Sequence, residues 1–249
     1  MRNPNFVLGL FIFFFGMNLY AGLVTSSSRV IYHEGEREKS FVIANINEYP
    51  IVVQTWFDDG SGDPEQANAP FIILPAIFRM QPEGIQPLRI FYTGSALPDD
   101  RESVFWLNLY EVPGIKKDTI KENQAKLDFA MNTQLKIFYR PKRLRKIEAH
   151  EIIKKLKFEL KSENNQVFLV CENSSPYHIS FSGLKVFAQG QEINAKQEMD
   201  MMTNPLSKRN YILERNVNSF DKIEFYIIGD DGNTYTGEFG GQGVIKSVI

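Results

Sequence analysis

Apolar and polar residues alternate with period two along most of residues 22–240, and the two most regular runs lie at 97–113 and 127–141. A period of two sends successive side chains to opposite faces, as in a strand with one buried side and one solvated side. Runs of this kind fall at 24–32, 40–46, 51–57, 71–74, 87–92, 103–111 and 127–139, separated by turns such as His33-Glu34-Gly35-Glu36 and by the Gly-, Asp- and Pro-rich stretch 58–70. Helical periodicity is almost absent. Seven short strands at this spacing predict an immunoglobulin-like β-sandwich. Prolines in Leu74-Pro75 and Met80-Gln81-Pro82 would remove ladder hydrogen bonds from a central strand, so edge positions or a bend are expected there.

After Pro141 the pattern changes to KRLRKIEAHEIIKKLK, a basic run carrying Ile147, Ile152, Ile153 and Leu156. We place a linker at 144–156, leading into a turn or two of helix, between a first domain at 22–143 and a second at 157–249. The second repeats the all-β rhythm in runs at 157–161, 167–172, 178–181, 184–188, 209–214, 222–228 and 234–239, with turns at Asn164-Asn165, Ser174-Ser175-Pro176 and 229–233. The fold class is therefore all-β, with two immunoglobulin-like β-sandwich domains.

Composition narrows the function. The chain has 249 residues, 43% of them hydrophobic and 23% charged, enough for two folded domains. A net charge of -2 provides no broad basic field for nucleic acid, and the basic run after Pro141 reads as a solvated linker. Residues 1–21 begin with Met1-Arg2, continue through an apolar run from Phe6 to Phe15 and end at Ala21, the form of a cleaved secretory signal peptide. The run is short for a membrane span. A single cysteine, Cys171, cannot form an internal disulfide, and its apolar setting VFLVCEN predicts a buried thiol.

Catalytic patterns are missing. His33, His150 and His178 are scattered without metal-ligand spacing, and no nucleophile elbow or phosphate-cradling glycine loop occurs. Paired acids at Asp99-Asp100 and Asp230-Asp231 sit in predicted turns, where local hydrogen bonding accounts for them. No enzyme, metal or cofactor is expected. The row Leu127, Phe129 and Met131 is more informative, because an apolar-alternating edge invites pairing unless it is covered. Such a row needs either a core or a client, and by pattern alone its ordinary destination is the domain's own core. Each of its side chains contributes on the order of 1.5 to 3 kcal/mol when buried.

The same residues carry a family resemblance. Leu97-Pro98-Asp99-Asp100-Arg101-Glu102-Ser103-Val104-Phe105-Trp106-Leu107-Asn108-Leu109-Tyr110-Glu111-Val112-Pro113 resembles the signature of periplasmic pilus (fimbrial) chaperones of the chaperone-usher pathway over its whole length. Lys136-Ile137-Phe138-Tyr139-Arg140-Pro141 is similar to the end of that family's first domain. Ser28-Arg29-Val30-Ile31-Tyr32, Leu88-Arg89-Ile90 and Glu172-Asn173-Ser174-Ser175-Pro176-Tyr177 extend the similarity across the chain beyond residue 21.

The resemblance implies two immunoglobulin-like domains in an L-shaped arrangement, with Arg29 and Lys136 holding the C-terminal carboxylate of a pilus subunit in the cleft. It implies that Leu127, Phe129 and Met131 form a donor strand for a subunit that lacks one, and that Arg89, Glu102 and Asp230 are interdomain charges. Donor-strand complementation by such chaperones is a known mode of strand addition. The implied partners are pilus subunits and an outer-membrane usher, the implied compartment is the periplasm, and self-association of the unloaded protein is left open. The cysteine-free polar loop 114–126 resembles the short-loop subclass serving rod-like pili. Strict alternation puts Lys136 on the face opposite the donor row, so either a bulge intervenes or the two faces act separately. The other reading from the residues is a two-domain immunoglobulin-like surface or adhesive protein, but residues 22–28 are too short for a donor arm.

Overall fold

The computed structural model describes residues 22–66, 68–114, 129–163, 166–241 and 245–247. In chain order the first domain forms β1 (Leu23–Thr25), β2 (Arg29–His33), β3 (Lys39–Asn45), β4 (Ile51–Asp58), β5 (Phe71–Leu74), β6 (Ile77–Met80), β7 (Ile85–Tyr92), β8 (Ser103–Pro113) and β9 (Met131–Arg140). There follow α1 (Ala149–Ile153), β10 (Leu156–Glu163), β11 (Gln166–Asn173), β12 (Ile179–Ala188), β13 (Gln191–Asn194), β14 (Met202–Thr203), β15 (Ser207–Ile212), β16 (Lys222–Ile228), β17 (Thr234–Gly240) and β18 (Ile245–Ser247). The expected signal segment 1–21, loop residues 115–126, Leu127 of the donor row and the Asn164-Asn165 turn lie outside the described residues.

Among the described residues, the first domain pairs a four-stranded sheet, β1-β3-β7-β5, with a five-stranded sheet, β2-β9-β8-β4-β6. Phe41, Ile43, Ile73, Leu88 and Ile90 from one sheet share a core with Val30, Val53, Leu107, Leu109 and Ile137 from the other. Period-two alternation places these side chains between the sheets, and their burial is the main stabilising term. Tyr139 packs on Tyr92 with ring centroids 4.5 Å apart, and burial pushes its hydroxyl up to about 12.

The run at 24–32 is not one strand. It divides into β1 in the four-stranded sheet and β2 in the five-stranded sheet. Thr25 Oγ1 donates to Ser27 O at 3.0 Å and Ser27 Oγ donates to Arg29 O at 2.6 Å, so hydroxyls bonded to local backbone replace the ladder at the crossing. Arg29 consequently opens β2. A second crossing runs from edge strand β5 through Pro75 to edge strand β6, the bend that the prolines predict.

In the second domain, β10-β11-β15 faces β13-β12-β16-β17-β18, with β14 also paired to β12. The separate runs expected at 178–181 and 184–188 join as β12, whose register shifts between Phe181 and Gly183. Ile153 of α1 and Leu156 are buried in this domain's core, so the second domain takes up the chain inside the stretch assigned to the linker. Cys171 is buried there, and desolvation pushes its thiol up to about 12.

Candidate functional site

The site is built where β2 stops covering the edge of β9. The two strands run parallel, and their register extends from Arg29↔Lys136 to His33↔Arg140. Among the described residues, nothing pairs with that edge of β9 from Met131 to Leu135, while β8 occupies the other edge from Ser103↔Tyr139 to Glu111↔Met131. The β8 register is unbroken. No bulge therefore separates Lys136 from Met131, and the two lie on opposite faces of one strand.

One face of β9 carries Leu135, Ile137 and Tyr139 into the first domain's core. The same row leaves the core at its N-terminal end: Met131 is 48% exposed, and Phe129, just before β9, is 68% exposed. The domain's own core, the ordinary destination by pattern, does not receive these two side chains. Opposite Met131, Glu111 is buried on the core side, and its Oε2 has no hydrogen-bond partner among the described residues. Burial raises this carboxyl above the usual range, opposed by a hydrogen bond from the Leu23 backbone.

The opposite face of β9 is polar at its start. Asn132 and Gln134 each donate to Asn108 Oδ1 at 2.9 Å, and Asn108 Nδ2 donates to Asp58 Oδ2 at 2.9 Å. Asn108 and Asp58 are both buried, so these bonds satisfy groups that would otherwise be costly. They fix the first half of β9 to the body of its sheet while its edge stays open. Sequence reading did not single out this set.

Farther along the same face come Lys136, Phe138 and Arg140, joined by Arg29 from β2. Arg29 lies over the Phe138 ring at 5.5 Å and donates from Nη1 to Ile228 O of the second domain at 2.8 Å; its buried Nε has no partner among the described residues. Desolvation lowers the pKa of Arg29, against the attraction of Asp230, Glu102 and Asp231. Lys136 is likewise lowered by burial, opposed by its contact with Asp200, and Arg29 and Arg209 push it further down. Arg29 and Lys136 are thus two cations side by side, each held below its ordinary pKa by burial.

The interdomain charges differ in part from those expected. Glu102 Oε1 accepts from Arg140 Nε at 2.9 Å and Nη2 at 2.6 Å, while Arg140 Nη1 donates to Asp230 Oδ2 at 2.6 Å. Glu102 Oε2 accepts from the His178 backbone at 2.8 Å, a further link across the domains. Burial works against the Arg140 charge, but the hydrogen bonds and attraction of Asp230 and Glu102 outweigh it and raise the pKa. Arg89 has no place in this cluster: it sits on β7 in the other sheet and is ion-paired with Glu38. Arg140 is the cation between Glu102 and Asp230. A cavity of about 130 Å³ beside it is bordered by Arg29, Phe138, His178 and Ile228.

Two β-sandwiches joined by a buried charge cluster, with an open strand edge ending at paired cations, define a two-domain protein of immunoglobulin-like fold. The family models "Pili and flagellar-assembly chaperone, PapD N-terminal domain" and "Pili assembly chaperone PapD, C-terminal domain" match residues 22–145 and 151–239. The chain belongs to this pilus assembly chaperone family, which is not a family of enzymes. It is 36% identical over 176 residues to "Chaperone protein FimB/FhaD" of Bordetella pertussis, covering 68% of this chain and 70% of that one. It is 33% identical over 227 residues to "Probable fimbrial chaperone YadV" of Escherichia coli K12, covering 90% and 91%. The crystal structure of the YadV chaperone superposes with a TM-score of 0.73 at 30% identity over 88% of this chain and 98% of that one. The fold is also that of the chaperone in a Salmonella enterica SafA pilin–SafB chaperone complex, at a TM-score of 0.72 and 23% identity over 89% of this chain and 97% of that one.

Proposed function

We propose that this chain is a periplasmic chaperone that lends β9 to an incomplete pilus subunit, anchors the subunit's C-terminal carboxylate at Arg29 and Lys136, and delivers it to an outer-membrane usher. The observation that carries this reading is the coincidence of the open β9 edge with the cation pair. A client strand running parallel to β9 along Met131–Leu135 would bring its C-terminus to Arg29 and Lys136, where β2 takes over the edge. The carboxylate end would thus meet the cations only in the parallel orientation.

The energetics favour the same arrangement. Each charge-assisted hydrogen bond to the carboxylate contributes about 1.5 to 3 kcal/mol. Phe129 and Met131, with Leu127 before them, would enter the client's own unfilled core, while β9 satisfies main-chain groups along the client's open edge. Anchoring the chain end fixes register, and a one-residue slip would turn the client's apolar set outward. No nucleotide or metal is needed; replacement of the lent strand by a neighbouring subunit supplies the drive for assembly. In the unloaded protein the same edge is open to pairing with a second copy.

Glu102 and Asp230, bridged by Arg140, would hold the two domains so that the cation pair faces the client's path. Residues 1–21 would direct export and be removed. The test is co-expression with a candidate subunit and recovery of the complex: Arg29→Ala and Lys136→Ala should each lose the subunit. Recovery of wild-type yield with both variants would rule out the carboxylate anchor. Undiminished recovery with Phe129→Asp would rule out strand donation.

A further inference from the structure

Lys136 already holds a carboxylate, and it comes from the second domain. Its Nζ is ion-paired with Asp200, which lies between β13 and β14 outside any strand, with its side chain 38% exposed. Asp200 has a second cation within reach, because its Oδ2 is 3.6 Å from Arg209 Nη1. Arg209 is itself fixed: Nη1 donates to Met202 O at 2.7 Å, Nη2 donates to Glu198 Oε2 at 2.6 Å, and its guanidinium lies 5.1 Å over the Tyr211 ring.

We infer that Asp200 is an internal stand-in for the client's C-terminal carboxylate, occupying Lys136 in the unloaded protein and yielding it to the client while remaining beside Arg209. This rests on the carboxylate-anchor reading above and adds a competitor to it. A half-buried ammonium left unpaired would be costly, and Asp200 compensates it with the same chemical group the client would bring. Its irregular segment and exposure let the side chain swing without breaking a ladder. The nearby Arg209 limits the loss to one ion pair.

The competitor would sharpen selection. A client whose carboxylate arrives in register replaces one ion pair by another and gains its strand contacts. A chain end without a carboxylate, or one out of register, has nothing to offer Lys136 in exchange, so it either leaves Asp200 in place or strands a desolvated charge. Specificity then comes from what must be displaced as well as from what is gained. Loading also removes one tie between the domains, since Lys136 and Asp200 belong to different sandwiches.

The test uses the full mature chain and a fluorescently labelled synthetic peptide of alternating Val and Thr ending in a free carboxylate, with a carboxamide twin. Binding is read by anisotropy, and thermal melts check folding. Asp200→Asn, and independently Asp200→Ala, should bind the carboxylate peptide on the order of three- to ten-fold more tightly than the unsubstituted chain. The carboxamide peptide should show no such gain, and the gain should vanish when Lys136→Met is added. Equal or weaker carboxylate binding by folded Asp200 variants, with Lys136→Met alone still weakening it, would overturn the stand-in while leaving the anchor intact. If Lys136→Met has no effect on the carboxylate peptide, the anchor reading fails and the stand-in fails with it.

Discussion

Arg29 and Lys136 are register partners on adjacent parallel strands, while the next pair along the ladder, Val30 and Ile137, points into the core. The pair lies where β2 begins to cover the edge of β9. A parallel ladder presents both side chains on the same face, and the edge that β2 covers beyond them is left open before them. The domain thus places two cations at one end of an open strand edge.

Arg140 is the most heavily committed charge in the molecule's interdomain cluster. Replacing it with Ala leaves Glu102 buried without its arginine, holding only its contacts with His178, which should cost about 3 to 5 kcal/mol. Chemical denaturation checks the loss, and a change in solution scattering checks the domain orientation. Asp230→Ala keeps the buried Arg140–Glu102 pair, so it should alter scattering with a smaller loss of stability. Unchanged scattering for Asp230→Ala would count against the interdomain role.

If β9 is lent to a subunit, the row Phe129, Met131 and Leu135 should separate folding from binding within a few residues. Phe129→Asp, at an exposed position, should change folding stability by no more than about 0.5 kcal/mol while subunit recovery falls sharply. Leu135→Ala removes core volume and should cost about 2 to 5 kcal/mol. Denaturant midpoints for the two variants, beside their recovery of a co-expressed subunit, make the comparison.

Glu111 makes stability depend on pH. A carboxyl raised by burial above its unfolded value of about 4.3 binds its proton more tightly in the folded state, so ionisation favours unfolding. The penalty is absent below the unfolded value and is complete once the pH has passed the folded one. Glu111→Gln should therefore raise the melting temperature at neutral pH, with the gain disappearing below about pH 4. Melts of the two proteins across this range check it.

Much of the architecture was legible because alternation reports burial directly: Leu135, Ile137 and Tyr139 point inward as their spacing predicts. The break at Ser26-Ser27-Ser28 was hidden because serine is acceptable on a strand's polar face, and only its bonds to local backbone show the crossing. The resemblance put Arg89 with Glu102 and Asp230, where the structure has Arg140. The distinction lies in which sheet carries them, although the spacing of Lys136, Phe138 and Arg140 does mark one face. Asp200 gave no signal at all, since its contact with Lys136 spans 64 residues of sequence. Side chains that meet across domains leave no periodicity to read.

Hydrogen exchange along β9 tests the central claim most directly. In the free protein the amides of Met131–Leu135 that point away from β8 should exchange rapidly, because nothing among the described residues pairs with them. Binding a pilus subunit should protect those amides strongly, and Lys136→Ala should abolish the protection at subunit concentrations that saturate the unsubstituted protein. A bound subunit that leaves these amides exchanging as in the free chain would contradict strand donation by β9.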